Sequence, residues 1–274
     1  MEKHCSEAEK LAGNEPFQTR VKIDRLTLEH LKSYMAYKAA EFDGKYAGAV
    51  KHLDAMLAAR AELNKISPFL VMPAATTGIE RYYAGDHYWG TLHRRDYFQK
   101  VHDFTSGKDG DLVALAPRLA RFTLDQAGMG KDLRWHDPKH DRGKWREMDT
   151  CKPFYYPDYL SENGVPWVGK MWYVFEVNVS SSFKGKPVRV YTPFVTTEAW
   201  VWINGEYAGV RKYLDAYWSP APMDIDVTNL VKPGKNTIAV WVSTGTGRTQ
   251  ATDGFLGRLL LYSPKDPAKT IETR

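Results

Sequence analysis

The chain has only two cysteines, Cys5 and Cys151. That excludes a disulfide framework, and no Cys/His spacing of a zinc site occurs. A bond between the two is neither required nor implied, and Cys5 falls in what reads as a mobile tail. Long hydrophobic runs are also missing: no segment approaches the ~20 apolar residues of a membrane-spanning helix, and no membrane partner is expected. The opening residues, Met1 to Lys10, lack the apolar stretch of a secretory signal. Charge of one sign is nowhere concentrated. The 38 basic and 33 acidic side chains are interspersed, with a net charge of +5. Nucleic-acid binders gather charge on one face or tail, so no nucleic-acid partner is expected. Strands do not alternate with helices, which excludes a β/α barrel. No phosphate loop, dinucleotide fingerprint or nucleophile elbow is present, and Gly245-Thr246-Gly247 lacks the helix that would complete a phosphate cradle.

Aromatic residues, by contrast, are abundant, with 9 Trp, 16 Tyr and 11 Phe. Such faces serve thick cores or carbohydrate surfaces. The first third reads as helical. Leu28, Leu31, Met35, Ala39 and Phe42 recur at spacings of three and four, with Asp24 as N-cap and Gly44 as C′ glycine. Tyr46, Val50, Leu53 and Leu57 repeat the pattern. The short link predicts an antiparallel helical hairpin over 17–70, after a tail over 1–16. Residues 71–111, punctuated by Pro73 and several glycines, read as an irregular connector with local pieces such as His93 to Phe104.

From Lys170 the period becomes two. Met171, Tyr173, Phe175, Val177 and Val179 alternate with Trp172, Val174, Glu176 and Asn178. Further strands are predicted at Val188–Thr192, Ala199–Ile203, Glu206–Val210, Met223–Val227, Thr237–Val242 and Phe255–Tyr262. Asn204-Gly205 between two of them marks a type I′ hairpin, because both central residues need positive φ. Many short strands without intervening helices mean an antiparallel sandwich or barrel. The fold class is therefore mainly β with an α-helical N-terminal part.

Four motifs then stand in order: Gly169-Lys170-Met171-Trp172-Tyr173-Val174-Phe175; Phe183-Lys184-Gly185-Lys186-Pro187-Val188; Glu198 through Asn204-Gly205 to Gly209; and Asp224-Ile225-Asp226-Val227-Thr228 with Lys232-Pro233-Gly234-Lys235-Asn236. Upstream stand Phe122-Thr123-Leu124-Asp125, Trp135 and Lys144-Trp145. Together they resemble the sugar-binding jelly roll of glycoside hydrolase family 2, the β-galactosidase and β-glucuronidase kind, over about residues 118–263. The resemblance implies a galactose-binding-like antiparallel β-sandwich over 112–265, followed by a tail over 266–274. It implies a non-catalytic carbohydrate-binding or substrate-positioning module. The helical segments resemble, less specifically, those beside such sandwiches in multidomain bacterial glycan-degrading proteins. An exported, longer protein is then expected, with a catalytic domain in the same or a neighbouring chain. A sandwich that only braces such a domain is the alternative, and a self-sufficient glycoside hydrolase the remote one.

The motif residues already have structural work: Asn204 and Gly205 turn the hairpin, while Asp226 and Thr228 bond backbone at a strand end. Glycoside hydrolysis needs two carboxylates about 5 to 10 Å apart. Glu147 with Asp149, or Asp224 with Asp226, could pair, but the first two lie in an expected loop and the second two have structural roles. No catalytic residue is assigned. His136, Asp137, His140 and Asp141 have metal-ligand chemistry, yet Pro138 denies them the helix that would align them. They read as a charged loop, and no metal site or cofactor is predicted. No acidic cluster is distinct enough to predict the structural calcium of many jelly rolls.

Sugar rings stack on aromatic planes and take hydrogen bonds from Asp, Gln and Arg on loops of a rigid scaffold. Two loops carry those groups: Tyr213, Asp215, Tyr217 and Trp218 in one, Arg248, Gln250 and Asp253 in the other. The bland alternative has Tyr217 and Trp218 capping the core, and Arg248 and Asp253 either paired or solvated. An oligo- or polysaccharide is the expected partner. Parity also puts Trp200, Trp202 and Trp241 opposite Ala199, Val201, Ile203, Val240 and Val242. These tryptophans would lie outside the inter-sheet core, where packing of the helical hairpin is favoured over a flat polysaccharide platform.

Overall fold

The computed structural model describes residues 1–71, 91–151, 169–195, 198–212, 222–243, 254–255 and 257–271. The chain divides into two compact units, Met1–His102 and Asp103–Arg274.

The first unit is helical. α1 (Glu2–Leu11) occupies the segment expected to be a mobile tail, and Cys5 is part of it. It has no buried residue and is tied to α2 by ion pairs, Glu9 with Arg25 and Glu2 with Lys32. α2 (Glu15–Phe42) begins nine residues before the predicted cap at Asp24: the Asn14 side chain accepts from the Phe17 amide at 3.3 Å, with Pro16 in the first turn. It ends as predicted at Gly44, whose φ is +71°. The Gly44 amide donates to the Glu41 carbonyl and the Lys45 amide to Ala40, the paired bonds of a Schellman cap. α3 (Tyr46–Ile66) then runs back along α2.

The buried stripe of α2 differs from the predicted one. Leu31 is 46% and Met35 61% exposed, while Leu28, Tyr37 and Ala40 are buried. The reason is α4 (Thr91–Thr105), a full helix inside the expected connector. Its Phe98 packs edge-on against Tyr37 and stacks on Tyr46, and Arg94 donates to the Tyr37 hydroxyl at 2.7 Å. Tyr37 carries both apolar bulk and a buried hydroxyl, so it takes the inward position and turns Leu31 and Met35 outward.

The second unit is an antiparallel β-sandwich. Its strands are β1 (Gly110–Leu115), β2 (Leu119–Leu124), β3 (Arg146–Asp149), β4 (Lys170–Val179), β5 (Arg189–Thr192), β6 (Glu198–Ile203), β7 (Glu206–Arg211), β8 (Met223–Asp226), β9 (Gly234–Ser243) and β10 (Leu260–Pro264). One sheet has the order β1-β10-β5-β8, the other β3-β2-β4-β9-β6-β7. β1 and β3 were not anticipated, and Glu147 to Asp149, expected in a loop, form β3 at a sheet edge. The last strand runs over Leu260–Pro264 instead of starting at Phe255, which makes only an isolated bridge to Val195.

The core between the sheets follows the predicted parity. Met171, Tyr173, Phe175, Val177 and Val179 of β4 meet Ala199, Val201 and Ile203 of β6, and Ile238, Val240 and Val242 of β9. Val113, Val190, Met223 and Leu261 complete it from the opposite sheet. Burying each large side chain contributes roughly 1.5–3 kcal/mol, so this cluster is the main support of the sandwich. Asn204 (φ +55°) and Gly205 (φ +89°) form the β6–β7 turn. The Asn204 amide also donates to the Leu230 carbonyl and to Asn236 Oδ1, and its oxygen accepts from the Thr237 amide. One residue therefore fixes two neighbouring turns. Asp226 accepts from the Thr228 amide at 2.9 Å, and Thr228 from the Val188 amide at 3.0 Å, as a strand-end role requires.

Candidate functional site

The seven residues expected to meet sugar, Tyr213, Asp215, Tyr217, Trp218, Arg248, Gln250 and Asp253, lie outside the described residues. Their anchors do not. Arg211 at the end of β7 pairs with Ala199, while Ser243 at the end of β9 pairs with both Glu198 and Lys170. Both segments therefore leave from the same end of the six-stranded sheet, from the strands on either side of β6. The Arg211 guanidinium holds that end together by donating to the Val195 carbonyl.

Trp200, Trp202 and Trp241 lie outside the inter-sheet core, as parity requires. The register aligns Trp172, Trp241 and Trp200 in one row across β4, β9 and β6. The neighbouring row is Val174, Ala239 and Trp202. The small Ala239 lets Trp172 and Trp202 approach diagonally to 5.2 Å between ring centroids. These tryptophans take neighbours from residues 125–145 of their own unit. Trp135 and Trp145 pack against the cluster, and His136 stacks on Trp202 at 5.1 Å with an interplanar angle of 18°. Lys131 places its ammonium 3.5 Å from the Trp200 centroid and 3.7 Å from that of Trp241, a double cation–π contact.

Three devices hold the 125–145 segment down. Asp125, only 2% exposed, accepts from the Gly130 amide with both oxygens at 3.2 Å and from Trp172 Nε1 at 3.0 Å. Gly130 is required there, since a Cβ would stand 2.3 Å from Trp172 Nε1 and 2.6 Å from the Trp135 ring. Arg142 spreads its guanidinium over the carbonyls of Trp135, Asp137 and His140, at 2.8, 2.7 and 3.2 Å. Burial drives the Lys131 ammonium below its usual range, against the pull of Glu198. Burial, then the nearby Arg134, likewise lowers His136 and keeps its imidazole in the neutral form.

The residues with metal chemistry are spent locally. His136 stacks on Trp202, and His140 lies beside Trp135 and Trp145. Asp137 accepts from the Lys139 amide and Asp141 from the Gly143 amide, each an Asx turn. Among the described residues no three His, Cys, Asp or Glu converge as a cation site. The carboxylate pairs are engaged too. Asp149 takes two bonds from Arg118, at 2.7 and 2.6 Å, and Glu147 faces Arg121. Asp224 is held by Arg189 at 2.6 Å and by the Tyr262 hydroxyl at 2.7 Å. Burial, reinforced by Asp224, pushes the Tyr262 hydroxyl far above its ordinary range. Each carboxylate thus has a structural partner.

Sequence reasoning missed Lys131, His136 and Trp172 as members of the aromatic face. One signal was there to use: Trp172 has the parity of Val174, not of Tyr173, so it points to the side of Trp200 and Trp241. Lys131 gives no such signal, because its place follows from a loop without periodicity.

No family model matches the chain. Part of it is similar to β-galactosidases. One, from Priestia megaterium, is 32% identical over 98 residues, which is 36% of this chain and 8% of that protein. Another, from Thermoanaerobacter pseudethanolicus, is 32% identical over 106 residues, 38% of this chain and 13% of its own length. The chain thus spans a small fraction of the curated relatives it matches. Among solved structures, the β-glucuronidase from Ruminococcus gnavus in complex with D-glucaro 1,5-lactone aligns with 58% of this chain and 30% of that one. The TM-score is 0.48 and the identity 14%. The fold stands on the strand pairing itself.

Proposed function

We propose that the sandwich unit is a non-catalytic carbohydrate-binding or substrate-positioning module of the galactose-binding-like jelly-roll type. It works beside a glycoside hydrolase domain supplied by the same or a neighbouring chain. The observation that carries this reading is the shared origin of the two polar-aromatic loops. Arg211 and Ser243, their anchors, sit at the same end of the sheet on the two strands that flank β6, over a buried core. Loops so rooted can present stacking rings and donors to one ligand from a rigid base. The likeness to two β-galactosidases over a stretch much shorter than either supports a modular role. The engagement of Asp149, Asp224 and Asp226 in structural bonds supports a non-catalytic one.

Retardation of the purified chain in affinity gels of soluble galactans and other polysaccharides tests it. One glycan class should retard the chain, and Trp218→Ala or Arg248→Ala should abolish the effect. If no glycan does so, the second reading takes over, a sandwich that braces a catalytic domain. One observation favours that reading: the tryptophan face is occupied by the protein's own Lys131 and His136 and so offers no flat platform.

A further inference from the structure

The end of the tryptophan face nearest Lys170 gathers hydrogen-bond donors without an acceptor. The Lys131 ammonium lies over Trp200 and Trp241, and that of Lys170 is 5.8 Å from the Trp241 ring. Neither ammonium has an ion pair among the described residues. The indole N–H groups of Trp200 and Trp241 are both buried, and neither has an acceptor among the described residues. Trp241 itself is only 6% exposed. The two rings meet at 88°, so at most one N–H can rest on the other ring's face. At least one donor is therefore unsatisfied, a cost that folded proteins rarely carry without a reason. Two acids stand nearby. Asp125 is already committed to Gly130 and Trp172, while Glu198 acts on Lys131 only through space. Two cations and at least one orphan indole donor, with Asp125 committed elsewhere and Glu198 bonded to neither indole among the described residues, are the makings of an anion site.

We infer that this corner, formed by Lys131, Lys170, Trp200 and Trp241, binds a single anionic group, a carboxylate or a sulfate, carried on a sugar. The indoles donate through nitrogen and the ammoniums neutralise the charge. The sugar part rests on the carbohydrate-binding reading above, whereas the anion part stands on the donors alone. The corner lies where Lys170, Ser243 and Glu198 pair, the strand ends from which residues 244–253 leave. A neutral glycan held by the loops and an acidic group held here would be neighbours on one ligand.

The test follows the indole N–H resonances of the full chain by NMR, with Trp200→Phe and Trp241→Phe used for assignment. Sodium glucuronate and glucose 6-sulfate are the probes, with methyl glucoside and matched sodium chloride as controls. The two resonances should move downfield and saturate with glucuronate or the sulfate, and stay put with the controls. Lys131→Met and Lys170→Met keep the apolar stems and should each weaken binding by about tenfold. The probe that saturates at lower concentration identifies carboxylate or sulfate as the natural group. Absence of a saturable shift, a shift equal to that in sodium chloride, or unchanged affinity in both lysine variants would overturn the site. Retardation by neutral glycans without these shifts would sink the anion site and leave the carbohydrate module standing. Saturable shifts without any glycan retardation would do the reverse.

Discussion

Replacing Asp125 by Ala separates the docking of the 125–145 segment from the integrity of the sandwich. The carboxylate is buried and accepts from the Gly130 amide and from Trp172 Nε1. Its removal leaves two buried donors without partners. Each costs about 1–3 kcal/mol, so the loss should be about 2–6 kcal/mol. For a domain of this size every kcal/mol lowers Tm by ~2–4 °C, which makes a drop of roughly 4–24 °C. Asp125→Asn keeps one acceptor oxygen and should lose about half as much. Urea titration followed by tryptophan emission measures both. A double-mutant cycle with Trp172→Phe should return a coupling of about 1–2 kcal/mol, because the variants share one bond. If Asp125→Ala stays within about 0.5 kcal/mol of the parent, or if the cycle shows no coupling, the carboxylate does not seat the segment.

Asn204→Ala removes three side-chain bonds and a residue suited to positive φ, and should cost about 2–4 kcal/mol in chemical denaturation. Raised hydroxyls at Tyr37 and Tyr262 keep their protons in the fold when the unfolded chain has lost them. Stability should thus fall as pH rises above ~10, by up to about 1.4 kcal/mol per pH unit for each tyrosine. Tyr262→Phe should flatten that fall, and an unchanged alkaline slope would count against the assignment. His136 behaves oppositely with pH: the unfolded chain takes up a proton near pH ~6.5 while the half-buried imidazole resists. Stability should decline as pH drops below that value, until the folded imidazole titrates too. His136→Phe, which keeps a stacking ring, should make the urea midpoint at pH 5.5 closer to that at pH 7.5.

Most of the sandwich was legible because its signals are local and strict. Period-two parity placed Ala199, Val201 and Ile203 inward and the tryptophans outward, and Asn204-Gly205 located its turn to the residue. β1 and β3 escaped because they are edge strands whose pattern is mixed with polar residues. The helical stripe was misread because helix periodicity shows that a face exists but not which partner claims it. Tyr37 went inward only because α4 supplies Phe98 and Arg94 from more than fifty residues away. The aromatic face was half legible. Its sheet residues follow from parity, whereas Lys131, His136 and Arg142 owe their positions to Asx turns and carbonyl bonds that leave no trace in hydrophobic pattern.

The row of indoles has a spectroscopic consequence. All six tryptophans among the described residues, Trp135, Trp145, Trp172, Trp200, Trp202 and Trp241, belong to one cluster on the sandwich. The described residues of the helical unit contain no tryptophan. Chromophores this close exchange excitation and couple their transition dipoles, so near-ultraviolet dichroism from this face should be intense and sensitive to small ring rotations. Six of the nine tryptophans thereby form an optical gauge of one surface of the sandwich unit.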